Sequence, residues 1–329
     1  KDSISPTIIS ALQETIDKKH QALVLINRRG YSVCLIDTRT HEPVGCPNCS
    51  LSLSLHRKLS FLRCHYCDHK QSVKSYLASH PTAKFEAVGY GAEKITSILK
   101  DSLLGARIER FDSDTLGNRD KLVNRIKEFR SGDIDILVGT QMLAKGHDFP
   151  RVTLMIILEI DFLLDLADFR AGEKTFQLMV QASGRAGRAD LAGKVMIQTK
   201  RPDHPIIAAG LSQDYTAFVN IEKSFRALQG FPPTTKMISI EWTSKDFECL
   251  DSHCEKVSHW ISSLDSKVFS SINVRGPMNP PVDFLRGMWR KVLLILGEEH
   301  KIPHMFVRSL VHTFSPLPSG IKLRIDVDP

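Results

Sequence analysis

The chain has 329 residues, 42% of them hydrophobic, and a formal net charge of +7. This excludes a chain too poor in apolar residues to bury a core, allows two or three domains, and favours a polyanionic partner. The longest apolar run, Thr153 to Leu164, is short and carries Glu159 and Asp161, so no membrane segment is expected. The amino terminus has neither an initiator Met nor a signal peptide's apolar core, and the expectation is a truncated start. Five of the seven cysteines lie between Cys34 and Cys67. Without a secretory signal, that crowding predicts a metal cluster and not a disulfide framework.

In chain order, Ala22-Leu23-Val24-Leu25-Ile26-Asn27 is a continuous apolar run, as in a strand buried on both faces, and Arg28-Arg29-Gly30 ends it. A cysteine- and histidine-bearing insert follows, roughly Tyr31 to Val88. Gly89-Tyr90-Gly91 then opens a helix with the period Ile95, Ile98, Leu99. Strands and helices alternate afterwards. Arg107 to Phe111 is a strand, Arg119 to Arg130 a helix, and Ile134 to Val138 a strand. Thr153 to Leu158 is a strand, Phe169 to Ala182 a helix, and Lys194 to Thr199 a strand. Such alternation predicts parallel βαβ units. Leu228-Gln229-Gly230-Phe231-Pro232-Pro233 marks a boundary. Beyond it, strands at Met237 to Thr243, Lys291 to Gly297 and Lys322 to Asp326 surround a helix at Phe247 to Leu264, a small α+β domain. Cys249 and Cys254, five apart on that helix, face each other poorly and read as small core residues.

Three constellations carry chemistry. Gln181-Ala182-Ser183-Gly184-Arg185-Ala186-Gly187-Arg188 reads Q-x-x-G-R-x-G-R. Its two arginines, three apart at a helix end, point the same way and can hold a polyphosphate from outside its main pocket, because the planar fork stays charged and matches phosphate oxygens. About 30 residues earlier, Gly139-Thr140-Gln141-Met142-Leu143-Ala144-Lys145-Gly146-His147-Asp148-Phe149-Pro150 follows a buried strand. The Gly-Thr turn offers N–H groups and a hydroxyl to a phosphate, Lys145 adds charge, and Asp148 suits a ribose hydroxyl. Finally, Cys46-Pro47-Asn48-Cys49 and Cys64-His65-Tyr66-Cys67 form C-x-x-C pairs about 14 residues apart. Four thiolates closing one tetrahedron define a structural zinc site, and they leave no open position for catalysis. His56, His65 and His69 read as solvated or core-satisfied, not as ligands.

Leu25-Ile26-Asn27-Arg28-Arg29-Gly30, the Gly139–Pro150 segment, Asp168-Phe169-Arg170 through Arg188, and the terminal Asp326-Val327-Asp328-Pro329 together resemble the PriA family of primosomal replication-restart helicases. The resemblance covers essentially the whole chain. It implies an α/β architecture: a RecA-like parallel-sheet helicase lobe with an inserted cysteine-rich zinc-binding module and a C-terminal α+β domain. The boundaries are lobe residues 1–30 and 89–202, insert 31–88, connecting segment 203–232 and C-terminal domain 233–329. By the same resemblance Gln181, Arg185 and Arg188 serve ATP chemistry, the arginines reaching its γ-phosphate across a cleft. Gly146, Asp148 and Gly184 lie beside nucleotide, while Arg28, Arg29, Thr140, Gln141 and Lys145 follow DNA. The implied cofactors are zinc and, with the other motor lobe, ATP and Mg. The implied partners are forked and single-stranded DNA, single-stranded-DNA-binding protein and other primosome components, in the cytoplasm.

The insert departs from the family, which carries eight cysteines and two zinc ions there. Cys34 remains, but its companion position falls on Asp37 or is displaced by a short insertion, and the distal pair falls on Leu77 and His80. Either Cys34, Asp37 or His41, and His80 improvise a second site, or the site is lost and Leu77 packs in its place. Tyr66, Arg63 and Lys70 are read equally as fork contacts or as ordinary basic surface. Arg286, Arg290 and Lys291 flank Trp289 in a stretch resembling the family's DNA and protein-binding surface. Either they stack on and grip a strand, or Trp289 packs the core under solvated arginines. No G-x-x-x-x-G-K-[ST] occurs, so this polypeptide is expected not to turn over ATP alone. Glu159 and Asp161 imitate a magnesium-binding strand end without a phosphate loop to serve, and Gly297-Glu298-Glu299-His300 is solvated charge. Two classes remain: the carboxy-terminal half of a 3′-to-5′ DNA helicase, or a zinc-stapled DNA- and protein-binding scaffold without a motor.

Overall fold

The computed structural model describes residues 4–26, 34–40, 42–56, 61–64, 67, 69–81, 83–88, 92–111, 119–140, 149–166, 168–186, 192–264 and 269–329. Helix α1 (Pro6–Asp17) and strand β1 (Gln21–Ile26) lead into the insert. There the chain forms β2 (Cys34–Asp37), β3 (Gly45–Cys46), β4 (Cys49–Ser52), β5 (Ser54–His56), β6 (Phe61–Arg63), β7 (Lys70–Ser72), α2 (Val73–Ser79) and β8 (Phe85–Val88). It continues through α3 (Ala92–Ser102), β9 (Ile108–Phe111), α4 (Arg119–Ser131), β10 (Ile136–Gly139) and β11 (Val152–Leu158). Next come α5 (Asp161–Leu164), α6 (Ala171–Ser183), β12 (Lys194–Gln198), α7 (Pro205–Ser212) and α8 (Tyr215–Gln229). The last region holds β13 (Lys236–Ser244), α9 (Phe247–Ser263), β14 (Ile272–Met278), β15 (Phe284–Leu285), β16 (Met288–Gly297), α10 (Lys301–Thr313) and β17 (Lys322–Val327). The chain divides into two compact units, Lys1–Val33 with Val88–Ile221 and Cys34–Ala87 with Glu222–Pro329. The cysteine-rich insert therefore groups with the C-terminal region.

In the first unit every strand pair is parallel, in the order β12-β11-β1-β10-β9. All six β1 residues are buried, and successive side chains serve opposite faces. Leu23 and Leu25 join Phe129 of α4 and Leu178 and Met179 of α6, whereas Ala22, Val24 and Ile26 join Leu12 of α1 and Leu99 of α3. A strand covered by helices on both sides must be apolar throughout, which is why its sequence shows no alternation. Helix α1 is absent from the elements predicted above. Pro6 at its first position and buried Ile8, Ala11, Leu12 and Thr15 at helical spacing account for it.

Gln21 is the polar exception in β1. Its side chain is 4% exposed, and Nε2 donates to the carbonyls of Phe129 (2.7 Å) and Ile134 (2.6 Å). It thereby ties the start of the central strand to the end of α4 and the approach to β10. Gln21→Leu fills a similar volume but takes this donor from the Ile134 carbonyl, while the Phe129 carbonyl keeps the Gly132 N–H, at about 1–3 kcal/mol. The denaturant midpoint should fall with the m-value unchanged; an unaltered midpoint would show the Ile134 carbonyl to be satisfied otherwise.

The second unit contains the antiparallel order β14-β16-β13-β17, with β15 paired to β16. Ile238, Ile240 and Trp242 of β13 alternate toward a core shared with Leu250, Cys254 and Val257 of α9 and Phe306 and Leu310 of α10. Asp246 caps α9 by accepting from the N–H of Cys249 at 3.1 Å. Cys254 is buried in that core and Cys249 packs at its margin; burial pushes the Cys254 thiol up to about 12. Among the described residues, no helix is long and apolar enough to cross a membrane.

Candidate metal centre and helicase lobe edge

The insert builds its metal-ligating group from two tight returns of the chain. Cys46 and Cys49 are paired across the turn joining β3 and β4. Cys64 follows β6, where its N–H donates to the carbonyl of His69 at 2.9 Å and folds Cys67 back toward it. The four Sγ atoms lie within 4.8 Å of one another, and Cys46 and Cys67 are 3.6 Å apart. A tetrahedral zinc with the usual Zn–S distance has sulfur separations of about 3.8 Å, so the spacing fits. Cys46, Cys49 and Cys64 are 8%, 2% and 1% exposed. Burial pushes the Cys46 thiol up strongly and that of Cys49 to about 11. Burial also opposes the Cys67 thiolate, but the His69 N–H and neighbouring thiols outweigh it and leave that group below its ordinary range. Backbone N–H groups reach two further sulfurs, Asn48 to Cys46 at 3.4 Å and Arg286 to Cys49 at 3.3 Å. Four clustered sulfurs, three of them already served by N–H donors, fit a divalent, thiophilic cation.

The second-site residues do not assemble in this way. Among the described residues only Cys46, Cys49, Cys64 and Cys67 form a group of metal-ligating side chains, while Cys34, Asp37 and His80 do not converge; His41 lies outside the described residues. His80 faces Tyr76: Nδ1 lies 2.9 Å from the Tyr76 carbonyl and 3.1 Å from Ser79 Oγ, and the two rings stack at 4.3 Å. The expected packing of Leu77 is corrected, since that side chain is 41% exposed. Helix α2 is short and turns Val73 and Tyr76, with Phe85 beside them, to the module core instead. His69 is corrected too. Its Nε2 is buried without a hydrogen-bond partner among the described residues, so it is neither solvated nor satisfied. His65 and the side chain of His56 lie outside the described residues.

In the parallel lobe β1 lies between β10 and β11, so the strand order reverses beside it, and in open sheets ligands collect beyond the carboxyl ends at such a point. Thr140 follows β10 there, half-buried. Arg28, Arg29, Gln141, Lys145, Gly146, Asp148 and Arg188 lie outside the described residues. The acidic end of β11 serves the fold. Asp161 accepts from Thr199 Oγ1 at 2.6 Å and from the Lys200 N–H at 2.9 Å, joining the ends of β11 and β12.

Helix α6 presents Gln181 at its exposed surface and buries Ala182. It ends at Ser183, with Gly184 as the cap, so the helical-face argument for the two arginines stops short of Arg185. What positions Arg185 is burial on either side of it. Ala182 and Ala186 both enter the lobe core, and the Arg185 N–H donates to the Ala182 carbonyl at 3.0 Å.

Sequence reading misses Asp168, which organises the start of the same helix. Its Oδ1 accepts from the Arg170 N–H at 2.9 Å, and the side chains of Lys174 and Arg170 pair with it. The usable signal was an Asp just before a helical run whose first turn carries Glu173 and Lys174. Burial alone would raise the Asp168 carboxyl, but hydrogen bonds and charge from Lys174 and Arg170 prevail and hold it below the ordinary carboxylate range. A folded value below the unfolded one stabilises above the unfolded pKa and is lost as pH falls through the folded one. The denaturation midpoint should therefore decline below about pH 4, and Asp168→Asn should flatten that decline. Identical pH profiles would show that Asp168 contributes nothing to it.

The C-terminal trio is drawn into its own domain. Trp289 packs between Phe284 (4.5 Å) and Phe247 (5.0 Å). Arg290 grips Glu241 at 2.7 Å and donates to the Val282 carbonyl at 2.9 Å, and Lys291 pairs with Asp251 at 2.7 Å. Arg286 sits in the turn between β15 and β16, against Cys49.

A five-stranded parallel lobe whose core helix α6 leads into Q-x-x-G-R-x-G-R defines the carboxy-terminal lobe of a helicase, and the helicase conserved C-terminal domain family matches residues 58–190. The chain belongs, more narrowly, to the PriA family of replication restart proteins. It is 30% identical over 329 residues to the replication restart protein PriA of Haemophilus influenzae, covering 100% of this chain and 45% of that protein. The Bacillus subtilis relative of the same name is 31% identical over 334 residues, covering 100% and 41%. That of Chlamydia trachomatis is 37% identical over 273 residues, covering 81% and 36%. The chain thus spans under half the length of these relatives.

Proposed function

We propose that this chain supplies the second motor lobe, zinc module and C-terminal domain of an ATP-dependent 3′-to-5′ DNA helicase that binds stalled forks and initiates primosome assembly and replication restart. The observation that carries this reading is the buried seating of Ala182 and Ala186 around Arg185, on a helicase-type parallel lobe. ATP is held mainly by another lobe, and Arg185 and Arg188 stabilise charge developing on its γ-phosphate, with Gln181 beside them. Gly146, Asp148 and Gly184 border the nucleotide. Arg28, Arg29, Thr140, Gln141 and Lys145 follow the DNA backbone, with Arg286 as an outlying contact. Trp289 and Arg290 serve the C-terminal domain's own packing first. Mg accompanies ATP; Asp161, tied to Thr199 and Lys200, is not assigned to it.

Cys46, Cys49, Cys64 and Cys67 hold zinc, which stabilises the module and takes no part in ATP chemistry. The partners are forked and single-stranded DNA, single-stranded-DNA-binding protein and primosome components, in the cytoplasm. The test is single-stranded-DNA-stimulated ATP turnover by this chain alone and joined to the upstream motor lobe of its own protein. Silence alone and turnover when joined support the reading. Silence in both, with DNA binding intact, sinks it in favour of the scaffold.

A further inference from the structure

The β15–β16 hairpin turns at Arg286 and Gly287, with Phe284 opposite Trp289 and Leu285 opposite Met288. Both turn residues have positive φ, 53° and 73°, the type I′ geometry whose twist suits a two-residue hairpin. Glycine adopts that region without penalty, whereas arginine does so only where its surroundings hold it. Those surroundings are the first cysteine pair. The Arg286 N–H donates to Cys49 Sγ at 3.3 Å, and the Gly287 N–H donates to the Asn48 carbonyl at 2.7 Å. Ser50 Oγ donates to Asp283 Oδ1 at 2.5 Å and accepts from the Phe284 N–H at 3.1 Å. Leu285 packs on the apolar core of the module. Hairpin residues 283–287 thus converge on residues 48–50, around a single metal ligand.

We propose that the Arg286-Gly287 turn is part of the metal centre, so that metal binding in the module and seating of this C-terminal hairpin are one coupled event. The inference rests on the zinc assignment above. A metal-bound sulfur carries more negative charge than a thiol and takes a stronger N–H hydrogen bond, so the loaded site grips the turn more firmly. By linkage, the seated turn holds the metal more firmly to the same extent. Arg286 acts here as a positioning residue, through its N–H and its left-handed backbone and not through its guanidinium.

The experiment takes the whole chain, measures its zinc content, and follows zinc release to an excess of a coloured chelator. Arg286→Val and Gly287→Val keep the N–H groups but resist positive φ, and should release zinc roughly ten- to a hundredfold faster, as disrupted outer-shell contacts do. Arg286→Asn, which accepts positive φ, should release it at the parent rate. Should the valine variants fail to fold, hydrogen exchange on the unsubstituted chain decides. Amides at 283–289 should lose protection when zinc is withdrawn and regain it on its return. Parent-like release from both folded valine variants, or hairpin protection indifferent to zinc, overturns the proposal. A parent chain that takes up no zinc overturns the metal assignment itself, and the proposal with it.

Discussion

Withdrawing zinc, or replacing Cys64 with serine, should unfold residues 34–87 while the five-stranded parallel sheet keeps its protection. Among the described residues, and besides its cysteines, the module's buried apolar side chains are Leu35, Val44, Leu53 and Leu62, and its strands are two to four residues long. Such short pairings cannot offset the entropy of ordering the chain without a further cross-link. A structural zinc contributes on the order of 10–16 kcal/mol, so the zinc proposed for this tetrad would be the main source of the module's folding energy. The parallel sheet draws on different material: two large apolar clusters, one on each face, with no metal-ligating residue in either. Hydrogen exchange with and without chelator, alongside zinc content, separates the two. A module that stays protected after complete metal removal would refute the dependence.

Arg185→Ala, in the protein joined to its upstream motor lobe, should lower DNA-stimulated ATP turnover about a thousandfold while leaving DNA binding nearly intact. The expected loss is in kcat more than KM, because a group that meets charge developing on the γ-phosphate acts chiefly in the transition state. The buried alanines Ala182 and Ala186 hold the backbone on either side, so truncating the arginine side chain should leave the lobe folded. Arg185→Lys should recover little, since an ammonium lacks the planar fork. A loss of less than tenfold for Arg185→Ala would place this residue outside the ATP chemistry.

Several elements were legible because their signals are local. The six-residue apolar run of β1 announces a strand buried on both faces. The alternation in β13 announces one buried face, and two C-x-x-C pairs announce a tetrahedral site whatever surrounds them. Helix α1 escaped because it follows no strand and lies outside the βαβ rhythm; its meaning depends on the sheet face that covers Ile8 and Leu12. Helix α10 escaped for a like reason, with Phe306 and Leu310 explained only by the core they enter.

By itself, then, the amino-acid sequence determined the parallel lobe, the cysteine tetrad and the C-terminal α+β domain through short-range periodicity or fixed spacing, and the family through the resemblance of whole segments. The tertiary structure decided what the remaining polar groups do. Arg290 turned to Glu241, Asp161 to Thr199 and Lys200, Gln21 to the end of α4, and the Arg286-Gly287 turn to the first cysteine pair. These partners stand tens to hundreds of residues apart in sequence. A charged or amide side chain carries no periodic mark of its partner, and only closure of the chain brings its donor and acceptor within reach.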